Sequence, residues 1–339
     1  MSFKRFLALL LTRNKEFIRD RSSLGWNIFM PILIVAGFAF AFSGNLGEKF
    51  KVGVVNQATA TTESKQFLEL KYINFYSVEN TEAAITRAIT KVQRHQVDML
   101  LNAKTQQYWI NTESPNGYLV EKILSGSEST HFKKQTVSGR PIRYLDWVIP
   151  GILSMNMMFS ALFGVGFVIV RYRKNGMLKR LKATPITAFE YLSAQVVSRF
   201  ILIMIITAFV FYSTNFFVDF VMRGSHINLF LVFALGALSM ISLSLIIAAR
   251  VTSEETAGGL LNLFSWPMMF LSGVWFSLEG AAPMMQLIAE FLPLTHVTAA
   301  ARAIMIDGAD LMKISYHLLV LTGQSVVFLL LGSWFFKWD

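Results

Sequence analysis

The sequence predicts an α-helical polytopic membrane protein with six transmembrane helices, two short re-entrant outer helices and an inserted small α/β extracytoplasmic domain. Three observations lead there. The chain is 54% apolar and only 15% charged over 339 residues, a balance too apolar for a soluble protein of that size. Its apolar residues gather into runs of about 20, the length that crosses a hydrocarbon core of about 30 Å. One stretch breaks the pattern: residues 44–146 carry 13 basic and 10 acidic side chains, with no run long enough to span a bilayer.

Residues 1–22 place Phe3, Phe6, Leu7, Leu10, Phe17 and Ile18 at three- and four-residue spacing, with Lys4, Arg5, Arg13, Lys15, Arg19 and Arg21 on the remaining surface. That is the pattern of a basic amphipathic helix lying flat in the cytoplasmic interface. Residues 23–43 hold the first transmembrane helix. Pro31 within it is tolerable where neighbouring helices satisfy the carbonyl it frees. In residues 44–146, positions 51–55, 97–101 and 108–110 read as strands and 81–95 and 115–124 as helices, an alternation that predicts a small α/β fold.

Residues 147–339 form a five-helix transmembrane region, with spans near 147–170, 190–212, 227–249, 257–276 and 316–336. The loop 171–187 between the first two of these carries six Lys/Arg and no acid. Lys and Arg are retained in the cytoplasm during insertion, so both chain ends fall inside, with Lys337 at the inner end of the last span, and residues 44–146 fall outside. Twelve of the 31 basic residues lie in 1–22 and 171–187. The net charge of +10 therefore reports topology and contact with anionic membrane lipids, not a nucleic-acid partner, for which no motif is present. Within the loop, Leu178 and Leu181 sit among Lys179, Arg180 and Lys182 before Thr184-Pro185, the pattern of a short surface helix shaped to touch a partner.

The outer segment 277–313 holds two apolar stretches too short to cross. Pro283 opens a helix bearing Met284, Leu287, Ile288, Phe291 and Leu292 before Pro293 stops it; a second helix, near 297–306, ends at Asp307-Gly308. Two helices dipping into the outer leaflet fit the pattern, and so does an amphipathic loop on the surface.

Catalytic motifs are missing. There is no phosphate-binding Gly-x-x-x-x-Gly-Lys-Ser/Thr, no His-Glu-x-x-His and no Gly-x-Ser-x-Gly, so no catalytic residue is assigned and no cofactor is expected on this chain. The absence of cysteine excludes disulfides and thiolate chemistry. Five scattered histidines lack metal-ligand spacing, so no metal site is expected; His296, between the two outer helices, reads first as a hydrogen-bonded structural residue. Ionisable groups within spans are costly. Arg199, about three turns into the third span, is expected to snorkel towards phosphate or pair with a carboxylate, and Glu190 marks that span's cytoplasmic mouth. Such groups are too few for a proton- or sodium-driven carrier.

Two stretches resemble a known family. Lys174-Asn-Gly-Met-Leu-Lys-Arg-Leu-Lys-Ala-Thr-Pro185 resembles the cytoplasmic loop of permease subunits of type-2 ABC exporters, although Asn175 and Met177 stand where that family commonly has Glu or a second Arg. Leu271-Ser-Gly-Val-Trp-Phe-Ser-Leu-Glu279, Pro283, Leu292-Pro-Leu-Thr-His296 and Ala301-Arg302-Ala-Ile304 resemble its outer re-entrant signature. The placement of a large outer domain between the first two spans is similar to the multidrug-type branch. The resemblance implies a permease in the bacterial cytoplasmic (inner) membrane that moves an amphipathic or lipophilic, drug-like or lipid-like compound outward. It implies two copies of a separate cytoplasmic ABC ATPase carrying ATP and Mg, a second copy of the chain or a similar permease, and room for a periplasmic adaptor. Gly176, Met177, Leu178, Lys179, Arg180, Leu181, Thr184 and Pro185 would couple to the ATPase, with Leu178 and Leu181 as apolar knobs. Gly273, Pro283, Pro293, His296 and Arg302 would shape the outer exit. A second reading, a membrane-anchored sensor or envelope-assembly factor using the outer α/β domain, leaves the helical loop and the outer helices without a role.

Overall fold

A computed structural model describes residues 3–41, 50–55, 67–68, 70, 73–126, 132–139, 143–276 and 282–336. Residues 277–281 of the expected outer segment and Lys337 lie outside the described residues. The chain forms two compact units, Phe42–Tyr144 and Met1–Ala41 with Leu145–Asp339.

The smaller unit is a five-stranded sheet in the order β2-β1-β3-β4-β5, with β1 Phe50–Val55, β2 Ile73–Val78, β3 Met99–Asn102, β4 Gln107–Asn111 and β5 Lys133–Val137. The β1–β2, β1–β3 and β4–β5 pairs are parallel and the β3–β4 pair is antiparallel. β3 is buried along its whole length and β1 from Val52 onward, as expected of central strands covered on both faces. Successive side chains supply two cores. Val54, Leu101, Ile110, Val120 and Leu124 meet on one face, with α4 (Pro115–Gly126) among them. Val55, Ala88, Val92 and Leu100 meet on the other, with α3 (Glu82–Gln93), which is capped by Thr81. The buried Asn111 amide donates to Gln93 O and Gly139 O at 2.8 and 2.9 Å. The Tyr108 hydroxyl is pushed up to about 12 by burial and by its bond to Glu121.

The larger unit is helical. α1 (Phe3–Arg19) is followed at once by α2 (Arg21–Ala41), which contains Pro31. α5 (Tyr144–Ala161) passes through a π-helical turn, Leu162–Phe167, into α6 (Val168–Lys174), and α7 is Met177–Lys182. α8 (Ala188–Val218), α9 (His226–Ala248), α10 (Glu254–Leu271), α11 (Pro283–Glu290), α12 (Pro293–Asp307) and α13 (Ser315–Phe335) complete the order. By length and composition, Tyr144–Lys174, Ala188–Val218, His226–Ala248 and Ser315–Phe335 can each cross a membrane, and α11 with α12, bent by 90°, can form a fifth crossing if taken as one span.

Several expected boundaries move, each for a physical reason. The third span runs six residues beyond 212. A Thr187/Glu190 capping box fixes its start, and Asp219 (φ 46°) in the left-handed region ends it. The fifth element stops at Leu271, not 276, because Gly273 (φ 68°) turns the chain. Pro293 does not end the outer helical segment; it occupies the first turn of α12, where proline's missing N–H costs nothing, four residues before the expected start. β3 begins two residues later than position 97, and β2 and β5 lie where the sequence predicts no strand.

α9 lies at the centre. Gly236 admits Val297 of α12, and Gly332 of α13 admits Leu245, the small-residue contact through which membrane helices approach closely. Replacing fully buried Leu101 in the smaller unit by Ala should cost about 2–5 kcal/mol. Hydrogen exchange of the full chain should register this as faster exchange across β1 and β3, with the large helices unaffected.

Candidate functional site

The charged loop is built from its glycine outward. Gly176 adopts φ 68°, a left-handed conformation that a β-carbon disfavours, and it separates α6 from α7. On α7, Leu178 is 0% exposed and belongs to the main helical core, while Met177 and Leu181 are half-buried against it. Leu178 therefore faces the body of the protein and is not an outward knob. Lys179, Arg180, Lys182, Thr184 and Pro185 are exposed. Thr184 Oγ1 donates to Leu181 O at 2.5 Å and closes the helix. Tyr172, Asn175, Met177, Arg180, Leu181 and Thr184 border a surface hollow of about 460 Å³.

The loop is fastened on three sides. The buried Arg173 guanidinium donates to Ala248 O (2.9 Å), Ala249 O (3.0 Å) and Val251 O, capping the carboxyl end of α9. A cation there completes carbonyls that the helix leaves open and meets the negative end of its dipole. Lys174 lies 3.6 and 3.7 Å from Glu254 and Glu255 in the first turn of α10, and Arg5 of α1 donates to Pro185 O. Glu190, flagged in the sequence as an ionisable group at a span's mouth, accepts from Thr187 N at 3.0 Å within the capping box. The signal Thr-x-x-Glu was present in the sequence.

A second cluster lies past the other end of α10. Arg302 of α12 donates to Trp147 O (2.9 Å), Gly273 O (2.5 Å) and Val274 O (3.3 Å), and its guanidinium lies 3.5 Å from the centre of the Trp147 ring. Thr295 Oγ1 donates to Ser272 Oγ at 3.0 Å. Pro283 and Pro293 open α11 and α12. Buried His296 meets Glu290 O at 2.7 Å through Nε2 and His317 Nδ1 at 3.0 Å through Nδ1. The structure thus joins Gly273 with Arg302, and sets Pro293 and His296 in the same bent pair. It separates all of them from the charged loop by the length of α10, 18 residues or about 27 Å.

A third cluster was only partly foreseen. Arg199 is 6% exposed. Its Nε and Nη2 donate to Ser160 O and Ser160 Oγ, both at 2.7 Å, and the group lies 5.1 Å from the centre of the Phe17 ring of α1. A β-carbon on Gly164 would overlap the guanidinium, so the glycine makes this arrangement possible. Arg13 of α1 donates to Gly164 O (3.2 Å), to Tyr172 Oη (2.9 Å) and to Glu16 (2.8 Å). Arg13, Arg199 and Arg171 line a cavity of about 540 Å³ between α1, α2 and the π-helical turn. Neither Arg13 nor Arg173 could be singled out in the sequence, where both read as inside-retention charges.

The family model for ABC-2 family transporter proteins matches residues 21–334. The chain is 21% identical to the probable multidrug ABC transporter permease YbhS of Escherichia coli (strain K12), over 97% of this chain and 96% of that protein. It is 25% identical to the putative transport permease YvfS of Bacillus subtilis, over 56% of this chain and 77% of the relative. It is 26% identical to the linearmycin resistance permease protein LnrN of the same organism, over 46% and 40%.

Arg173→Ala leaves the last carbonyls of α9 without their donor and should cost about 3 kcal/mol, given about 1.5–3 kcal/mol for a bond to a charged group. The expected readout is a lower unfolding temperature, with amide exchange accelerated first at residues 245–253. Arg173→Lys, lacking the planar fork, should recover only part of the loss.

Proposed function

Because the chain belongs to the ABC-2 family of transporter proteins, we propose that it is the six-span permease of an exporter that carries an amphipathic, drug-like or lipid-like compound out of the cytoplasm or inner leaflet. It is a transmembrane subunit of an ABC transporter. In our reading α2 and α10 are the spans that join the four long helices. Both chain ends lie in the cytoplasm of a bacterial inner membrane, the α/β unit lies outside, and α11 and α12 form the re-entrant pair at the exit. The working assembly is two permeases, this chain twice or with a similar partner, and two copies of a cytoplasmic ATPase that binds ATP and Mg. A periplasmic adaptor is a further partner in this reading.

The observation that carries the proposal is the fastening of the charged loop. The sequence has no phosphate-binding loop of its own, so energy must enter through a surface contact. α7 presents Lys179, Arg180 and Lys182 beside a hollow edged by Met177 and Leu181. A push there reaches α6 directly, α9 through Arg173, α10 through Lys174 and α1 through Arg5. Helices tied at one end tilt together, which is a rigid-body form of switching. The multidrug and linearmycin-resistance names of two relatives support a lipophilic cargo.

The test is purification of the full chain from its own membrane, where an ABC ATPase should accompany it. Lys179→Glu with Arg180→Glu should reduce both the recovered ATPase and cargo export by about tenfold or more, as expected for charge reversal at an interface, with membrane insertion unchanged. Full ATPase recovery and export in that variant would remove the loop from its role. Leu178→Asp is a different experiment: it buries a charge in the core and should unfold the loop.

A further inference from the structure

The cavity between α1, α2 and the π-helical turn is lined at one end by charge and elsewhere mainly by apolar groups. Its charged end is unusual. Two guanidinium groups flank one glycine: Arg13 bonds the carbonyl of Gly164, and Arg199 occupies the space where a β-carbon of Gly164 would stand. Glu16 answers Arg13. Arg199 is more than nine-tenths buried, and among the described residues no carboxylate forms an ion pair with it; its hydrogen bonds go to Ser160 alone. An arginine buried in a membrane-embedded helix without a counter-charge is costly, and this one lines an open cavity. The lining holds three arginines, with Arg171, against two carboxylates, Glu16 and Asp20, so positive charge is in excess; the rest of the wall is mainly apolar, with Met30, Phe159 and Phe163, and is interrupted by Asn27 and Asn156. The volume of about 540 Å³ lies within the range of about 300–1,000 Å³ typical of ligand sites.

The geometry points to a binding site for an anionic amphiphile, with a phosphate or carboxylate headgroup between Arg13 and Arg199 and an alkyl tail along Met30, Phe159 and Phe163. The headgroup supplies the charge that the protein leaves out, and guanidinium forks match such oxyanions in shape as well as in sign. α1 forms one wall, so an occupied site ties the amphipathic helix to the α5–α6 rod. That this chemistry is also the chemistry of the exported compound rests on the export reading above; the binding itself does not.

The experiment uses the full chain in nanodiscs of phosphatidylcholine, with radiolabelled dodecyl phosphate and dodecyltrimethylammonium as probes sharing one tail. Saturable binding of the phosphate at least about tenfold tighter than that of the ammonium is expected. Arg199→Gln should abolish most of that preference. Gly164→Ala, which displaces the guanidinium and keeps its charge, should weaken phosphate binding. Met30→Trp, which fills the tail region and leaves both arginines in place, should weaken both probes and guards against a variant that merely misfolds. Equal binding of the two probes, or an unaltered preference in Arg199→Gln, overturns the site. Protein purified from its own membrane separates the two sources of an anionic amphiphile. Bound anionic lipid that exchanges for dodecyl phosphate supports a transported compound, whereas one that stays bound makes it a resident lipid and overturns the extension to cargo. Absence of an accompanying ATPase would sink the export reading and leave these binding results standing.

Discussion

Within a bilayer and at its edges, little or no water is at hand to satisfy a carbonyl where a helix ends or changes pitch, and the protein supplies the donor itself. Here arginine does so three times. Arg173 closes the end of α9, Arg302 gathers the carbonyls that follow α10 and one near the start of α5, and Arg199 donates to Ser160 just before the π-helical turn. Each guanidinium joins elements far apart in sequence, by 75, 29 and 39 residues in the first, second and third case. The planar fork suits this work because it bonds two or three acceptors at once, three carbonyls for Arg173 and Arg302 and a carbonyl with a hydroxyl for Arg199. These side chains are spent as backbone partners before they are anything else, and the helical unit depends on them at both ends of α10.

That use explains much of what the sequence does and does not reveal. Apolar runs and the one-signed loop are strong signals because they answer to the bilayer alone, and the helical character of α8, α9 and α13 is legible from them. Strands β1, β3 and β4 stand out because their apolar residues are consecutive or nearly so. β5 does not: Lys-Lys-Gln-Thr-Val is a polar edge strand, and edges are kept charged to discourage further pairing. β2 is broken by Asn74 and Ser77, which leaves no apolar run. Arg173 is invisible because its role depends on where the end of α9 lies in space, and in the sequence it is one positive charge among six.

Leu178 carries a similar lesson. A leucine among lysines reads as an exposed apolar contact, and its neighbours do face outward, yet the side chain itself turns into the core and anchors the loop. The exposed face of the loop is basic, with Met177 and Leu181 only half-open at its edge. Whatever docks there meets charge first and apolar surface second. The firmness of that surface comes from Arg173, Lys174 and Arg5 behind it.

The π-helical turn Leu162–Phe167 sits between two of these arginine contacts: Ser160, bonded to Arg199, precedes it, and Arg173, bonded to α9, follows. A widened turn holds one residue more than an α-helix would, and one residue is worth about 100° of rotation about the axis. The twelve residues between Ser160 and Arg173 are thus a phase setting. Composition along this stretch can drift while both contacts survive, but its length and its wide turn must change together. A deletion that removed the extra residue and restored regular pitch would keep the guanidinium facing the carbonyls it caps, whereas a deletion that left the wide turn in place would swing it about 100° away from them.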